Sequence, residues 1–63
     1  MPRSSTATQL GGVNLKLEGA AASLRAIARH RSGELAWHLH DAAERIDTAR
    51  ELILDARAEA RTA

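Results

Sequence analysis

The strongest constraint on the fold is a seven-residue repeat of apolar positions between Leu35 and Ala60. The apolar residues recur at alternating steps of four and three, a spacing that keeps them on one side of an α-helix. The repeat has two rows, which are Leu39, Ile46, Ile53, Ala60 and Leu35, Ala42, Ala49, Ala56. Because alanine lets helix axes approach closely, we expect this seam to pack along another helix.

A shorter apolar pattern precedes the repeat and predicts a first helix. Asn14 can cap its start by accepting a hydrogen bond from a free backbone N–H, and apolar residues then follow at steps of three and four as far as Ala28. We place this helix at about residues 14–30, a turn at 31–33 and the long second helix at about 34–61. A short turn makes the helices antiparallel, so the predicted fold is an all-α helical hairpin over residues 13–63.

The segment before this hairpin differs in composition. Residues 1–12 are rich in serine, threonine and small residues, end in Gly11-Gly12 and show no helical periodicity. We interpret them as a flexible N-terminal arm.

Size and composition limit what the chain can do alone. Its 63 residues include only 12 Leu, Ile or Val and no cysteine, so it has little material for a core and no disulfide or thiolate metal site. Nine basic and eight acidic residues nearly cancel, which argues against disorder driven by net charge. No apolar stretch approaches the roughly 20 residues of a membrane span, so we expect a soluble, cytoplasmic protein without membrane contact.

The length of the second helix predicts association. It would extend past the first by several turns, and its apolar stripe would need another molecule as cover. The consecutive aliphatics Leu52, Ile53 and Leu54 spread over about 200 degrees of the helix, so they require two neighbours. We therefore expect a homodimer in which two hairpins form a four-helix bundle, with the seam, Leu52 and Leu54 at contacts with the second copy or a partner.

Three histidines invite a metal or catalytic interpretation. His38 lies four residues after Glu34 and three before Asp41, but such spacings supply only pairs of ligands, whereas a zinc site needs three or four. We interpret these groups as solvated helix residues. The sequence predicts no catalytic residue, metal or cofactor, and a protein that is not an enzyme.

Trp37 is the only aromatic residue of the chain. It lies about 150 degrees from the centre of the seam on an ideal helical wheel, so we expect it on the outer face. An exposed tryptophan is a good anchor for a partner protein, because tryptophan is enriched among binding hot spots. The alternative is that Trp37 packs over the turn or the N-terminal arm.

Charge is divided unevenly between the two halves of the chain. Residues 1–33 carry five basic side chains and one acidic, whereas residues 34–63 carry four basic and seven acidic. The halves can pair within the hairpin, or the basic half can contact nucleic acid through Asn14, Lys16, Arg25 and Arg29.

Two resemblances bear on this choice. The alternating segment Gly12-Val13-Asn14-Leu15-Lys16-Leu17, followed by two helices, resembles the ribbon-helix-helix repressors. That resemblance implies a strand that pairs between two chains and presents Asn14 and Lys16 to the major groove, so residues 13–17 are predicted as either strand or helix. The hairpin architecture and the fragment Leu39-His40-Asp41-Ala42-Ala43 resemble the Rop-type plasmid proteins, which implies a dimeric four-helix bundle that binds paired RNA hairpins.

The leading functional prediction is a small regulatory or adaptor protein that dimerises through the seam and modulates a partner protein. The alternatives are a dimeric nucleic-acid-binding regulator and a structural subunit of a larger assembly.

Overall fold

The computed structural model describes residues 5–62, which form two antiparallel α-helices. Helix α1 spans Thr6–Ala28 and helix α2 spans Gly33–Thr62, with residues 29–32 between them. The all-helical hairpin predicted from the sequence is therefore confirmed for this part of the chain. The first four residues of the predicted arm lie outside the described residues, as does residue 63.

Helix α1 begins well before the predicted start at Asn14. Ser5 is its N-cap, and the Ser5 Oγ accepts a hydrogen bond from the backbone N–H of Thr8 at 3.1 Å. Residues 6–12 are helical, so the prediction of a flexible arm is wrong for them, and the strand alternative for residues 13–17 is wrong as well. Packing against α2 offsets the cost of Gly11 and Gly12, which is about 1 kcal/mol each relative to alanine.

The connection between the helices is short and closed by backbone hydrogen bonds. The N–H groups of His30 and Arg31 donate to the carbonyl oxygens of Ile27 and Ala28, both at 3.1 Å, which tightens the last turn of α1. Gly33 then starts α2 with a φ of 69°, a left-handed conformation that only glycine adopts at little cost. This glycine lets the chain reverse direction within four residues.

The hairpin is a single layer of two helices. The Cα atoms extend over 49 × 21 × 9 Å, so the described residues provide no second layer to enclose a core. Among residues 5–62 the only buried apolar residues are alanines, namely Ala21, Ala28 and Ala43. Every leucine, isoleucine and valine of the described chain stays at least partly exposed.

The predicted overhang of α2 is largely absent. At 1.5 Å per residue, the 23 residues of α1 span about 35 Å and the 30 residues of α2 about 45 Å, a difference of roughly two turns. The prediction of several uncovered turns was wrong because α1 begins eight residues earlier than expected. The exposed apolar surface therefore lies along the length of the hairpin and not at the free end of α2.

Candidate interaction surfaces

Helix α1 covers a different strip of α2 from the predicted seam. The Leu39 row of the seam is half-buried against α1, but the second contacting row is Ala36, Ala43, Arg50 and Arg57, with Ala43 completely buried. The predicted row that starts at Leu35 lies beside this strip and remains partly or fully exposed. Sequence reasoning missed the contacting row because two of its members are arginines, whose aliphatic stems pack while their charged ends reach polar partners.

The ion pair between Arg25 and Asp47 shows which sides of the two helices point the same way. Arg25 lies four residues after the buried Ala21, and Asp47 lies four residues after the buried Ala43. Four residues make slightly more than one helical turn, so each side chain is rotated about 40 degrees around its helix axis from the buried alanine. The Arg25 Nη2 donates to the Asp47 Oδ2 at 2.5 Å across the hairpin. Residues that are rotated in this sense from the buried alanines therefore lie on one side of the hairpin, which we call the paired side. Residues of either helix that are rotated in the opposite sense lie on the opposite side.

Two rows of residues from each helix form the side opposite the ion pair. Thr6 begins the row of Val13, and every described member after it in the four rows is apolar. We call these rows the apolar face: Leu10, Leu17, Leu24; Val13, Ala20, Ile27; Leu39, Ile46, Ile53, Ala60; and Leu35, Ala42, Ala49, Ala56. None of these residues is buried, and Ile27 and Leu35 are 48% and 54% exposed. Leu52, at 67% exposed, lies at the edge of the apolar face. Leu54 lies towards the paired side.

The accessible surface of the chain is large for its mass. The chain exposes 4951 Å². A compact folded protein of 6.8 kDa is expected to expose roughly 4000 Å². A single elongated layer of two helices thus exposes more surface than a compact protein of the same mass.

The paired side is polar and internally connected through Arg50. Its Nε donates to the Asn14 Oδ1 at 3.0 Å, its Nη1 donates to the Asp47 Oδ1 at 3.2 Å, and its Nη2 donates to the Glu18 Oε2 at 3.4 Å. The hydrogen bond from Arg25 lowers the pKa of Asp47 below its ordinary 3.8; burial acts in the opposite direction, and the bond from Arg50 lowers it further. The two helices are thus tied together by charge on this side and by apolar contact on the other.

Trp37 lies on the outer surface of α2, as the helical wheel predicted, and is 66% exposed. Its ring meets the imidazole of His38 edge to face, with the ring centroids 5.4 Å apart. A shallow depression of about 240 Å³ lies beside the indole and is lined by Trp37, His40, Asp41 and Glu44. The indole therefore offers an apolar surface next to two carboxylates.

The four residues considered for nucleic acid contact do not form one surface. Asn14 accepts from Arg50, and Arg25 pairs with Asp47, so both are engaged within the hairpin. Lys16 is exposed near the edge of the apolar face, whereas Arg29 is exposed in the connection after α1. The structure thus places Asn14 and Arg25 on the paired side and Lys16 and Arg29 elsewhere.

A second depression lies near the start of α1, where the Arg57 side chain lies close to Gly11. It is about 440 Å³ in volume and is lined by Thr8, Gly11, Gly12, Asn14, Leu15 and Arg57. A Cβ at Gly11 would lie 3.2 Å from the guanidinium carbon of Arg57, so the glycine allows this close approach. Among residues 5–62 the Arg57 Nε is buried without a hydrogen-bond partner.

Two further properties concern the described part of the chain alone. No three His, Asp or Glu side chains between residues 5 and 62 are grouped so that they could hold a metal ion. Neither α1 nor α2 combines the length and the apolar character that crossing a membrane requires.

Comparison of the chain with known proteins gives no match to a protein-family model, to a curated protein or to a solved structure.

Proposed function

We propose that this chain is a small, non-enzymatic regulatory or adaptor protein that works as a homodimer and binds a partner protein through the outer surface of α2. Two hairpins stack with their apolar faces together and form a four-helix bundle. The outer surface around Trp37 remains free in this arrangement and contacts the partner.

The observation that carries the proposal is the apolar face itself. Within helices α1 and α2 its four rows contain no charged side chain, although charged residues make up 27% of the chain. A large exposed patch of this kind on a small protein marks an interaction site, because its exposure to water is unfavourable. Stacking a second layer on the face converts half-buried leucines and isoleucines into a core.

A second copy of the chain is the occupant that fits the face best. The exposed rows of the apolar face run along both helices, so a second hairpin of the same length can cover them from end to end. A twofold axis brings identical faces together, and two uncharged faces meet without like-charge repulsion. The alanines at Ala20, Ala42 and Ala49 allow the helices of the two layers to approach closely.

Two matched substitutions in α1 test the dimer. Ala20 lies on the apolar face and Ala22 lies outside it, and both are exposed in the single hairpin. We expect Ala20→Glu to weaken dimerisation by about a hundredfold or more, because it places two carboxylates in the apolar interface, whereas Ala22→Glu changes it less than about threefold. Sedimentation equilibrium gives the dissociation constants, and circular dichroism checks helicity.

A third variant separates interface disruption from loss of folding. Ala20→Ser keeps a small, uncharged side chain at the same position and is expected to keep the chain dimeric and helical. The proposal would be wrong if Ala20→Glu and Ala22→Glu dimerised equally well, or if the unmodified chain were monomeric.

A further inference from the structure

Trp37 points away from the apolar face. The buried Ala43 faces α1, and the row of Ala42 and Ala49 lies on one flank of α2. The row of Trp37 and Glu44 lies on the other flank, about half a turn around the helix from the row of Ala42. A second hairpin stacked on the apolar face therefore leaves the indole in contact with solvent. The surface around it is available to a different molecule.

This outer surface of α2 is acidic along its length. Two rows share it between Glu34 and Thr62, and neither contains a lysine or arginine; their carboxylates are Glu34, Asp41, Glu44, Glu51 and Asp55. Arg45 is the neighbouring cation, and its Nε donates to the Asp41 Oδ2 at 3.0 Å, but its own side chain is 81% exposed. Exposed ion pairs of this kind are weak, so a partner can displace the arginine at little cost.

An exposed indole in the same depression points independently to the chemistry of the ligand. Trp37 lines the depression together with Asp41 and Glu44. The face of an indole attracts cations, tryptophan does so more strongly than the other aromatic side chains, and arginine is the commoner cation in such contacts. A guanidinium can stack on the ring and donate to a carboxylate at the same time, since it is planar with donors along its edge.

We propose that Trp37, Asp41 and Glu44 form a docking site for an arginine-bearing basic segment of a partner protein. One arginine side chain lies over the Trp37 indole and donates to Asp41 or Glu44, and further basic residues follow the acidic rows of α2. This inference rests on the proposed function, because it names the chemistry of the partner that the outer surface of the dimer receives.

The test uses the full chain and short capped peptides that carry a fluorescent label. Three peptides share one sequence except that the basic positions hold arginine, lysine or glutamate, and a labelled DNA duplex of mixed sequence is the fourth probe. We expect the arginine peptide to bind most tightly, the lysine peptide less tightly and the glutamate peptide not measurably. The affinity for arginine should fall as salt is added, because part of it comes from exposed carboxylates.

Matched variants locate the site. We expect Trp37→Ala to weaken binding of the arginine peptide about tenfold or more, whereas Leu15→Ala, which shortens an equally exposed side chain on α1, changes it less than about twofold. The double variant Asp41→Asn with Glu44→Gln should also weaken binding about tenfold. Its control is Glu59→Gln, because Glu59 lies roughly 33 Å along α2 from Trp37.

Sedimentation equilibrium on the same samples separates the two proposals. A dimer that binds the glutamate peptide or the DNA duplex as well as the arginine peptide overturns the docking site and leaves the dimer intact. A dimer whose arginine affinity is unchanged by Trp37→Ala overturns it as well. A monomeric chain overturns the dimer, whatever the peptides do.

Discussion

Arg50 on α2 donates a hydrogen bond from its Nε to the Asn14 Oδ1 on α1, at 3.0 Å across the hairpin. The same guanidinium reaches Glu18, one turn further along α1, so a single side chain is fixed against two levels of the opposite helix. This arrangement sets how far the two helices are shifted relative to each other. It also holds the side of the hairpin on which charges pair, and so determines which rows form the apolar face.

Loss of Arg50 should destabilise the fold more than loss of a neighbouring surface arginine. The Arg50 side chain is 25% exposed and bonds to three of the described residues, whereas Arg45 is 81% exposed and bonds to one of them, Asp41. We expect Arg50→Ala to lower the free energy of unfolding by about 1 to 2 kcal/mol and Arg45→Ala by less than about 0.5 kcal/mol. Urea unfolding at one protein concentration measures both, and equal effects would contradict the central role of Arg50.

Acid should weaken the hairpin through Asp47. Its pKa in the folded chain is lower than the ordinary 3.8, chiefly because of the hydrogen bond from Arg25, so its contribution is fully present above pH 3.8. As the pH falls through 3.8 towards the folded pKa, the unfolded chain takes up the proton first and unfolding becomes more favourable. Melting temperatures measured across this range should fall less steeply in Asp47→Asn than in the unmodified chain.

The glycines of the chain should respond differently to alanine. Gly12 and Gly19 lie inside α1 with open space where a Cβ would be, so Gly12→Ala and Gly19→Ala should each stabilise the fold by about 0.5 to 1 kcal/mol. Gly11→Ala should gain less, because its Cβ would press on the Arg57 guanidinium. Gly33→Ala should be destabilising, since its φ is positive. Thermal unfolding of the four variants gives the order, and a stabilising Gly33→Ala would contradict the described connection.

The close approach of the helices should depend on alanine at Ala43. It is completely buried, while Ala58 on the same helix is exposed. We expect Ala43→Leu to destabilise the fold by about 1 to 3 kcal/mol through overpacking, and Ala58→Leu to have little effect. If Ala43→Leu melted at the same temperature as the unmodified chain, the helices would not be packed as closely as described.

The general architecture was accessible from the sequence because the seven-residue repeat from Leu39 to Ala60 is long and regular. Such a pattern indicates helix and one contacting row without ambiguity. The outward position of Trp37 followed from the same wheel. The start of α1 could not be predicted, since Gly11 and Gly12 locally favour a break and only packing against the other helix outweighs that preference.

The second row of α2 that contacts α1 could not be predicted from the apolar pattern either. Arg50 and Arg57 occupy positions that a repeat of apolar residues excludes, and only their bonds or close approach to Asn14 and Gly11 explain them. The side on which the charges pair depends on the same contacts. Consequently, the sequence predicted that the stripe from Leu35 to Ala60 would need cover from another molecule, but it did not predict which rows of α1 lie on the same side of the hairpin.

The state of the unmodified chain in solution decides whether the apolar face binds a second copy. We expect sedimentation equilibrium to give twice the 6.8 kDa mass of one chain, and dilution to reduce mass and helicity together, because a single hairpin buries only three alanines among its described apolar residues. A chain of 6.8 kDa that stayed fully helical at the highest concentration would contradict the dimer.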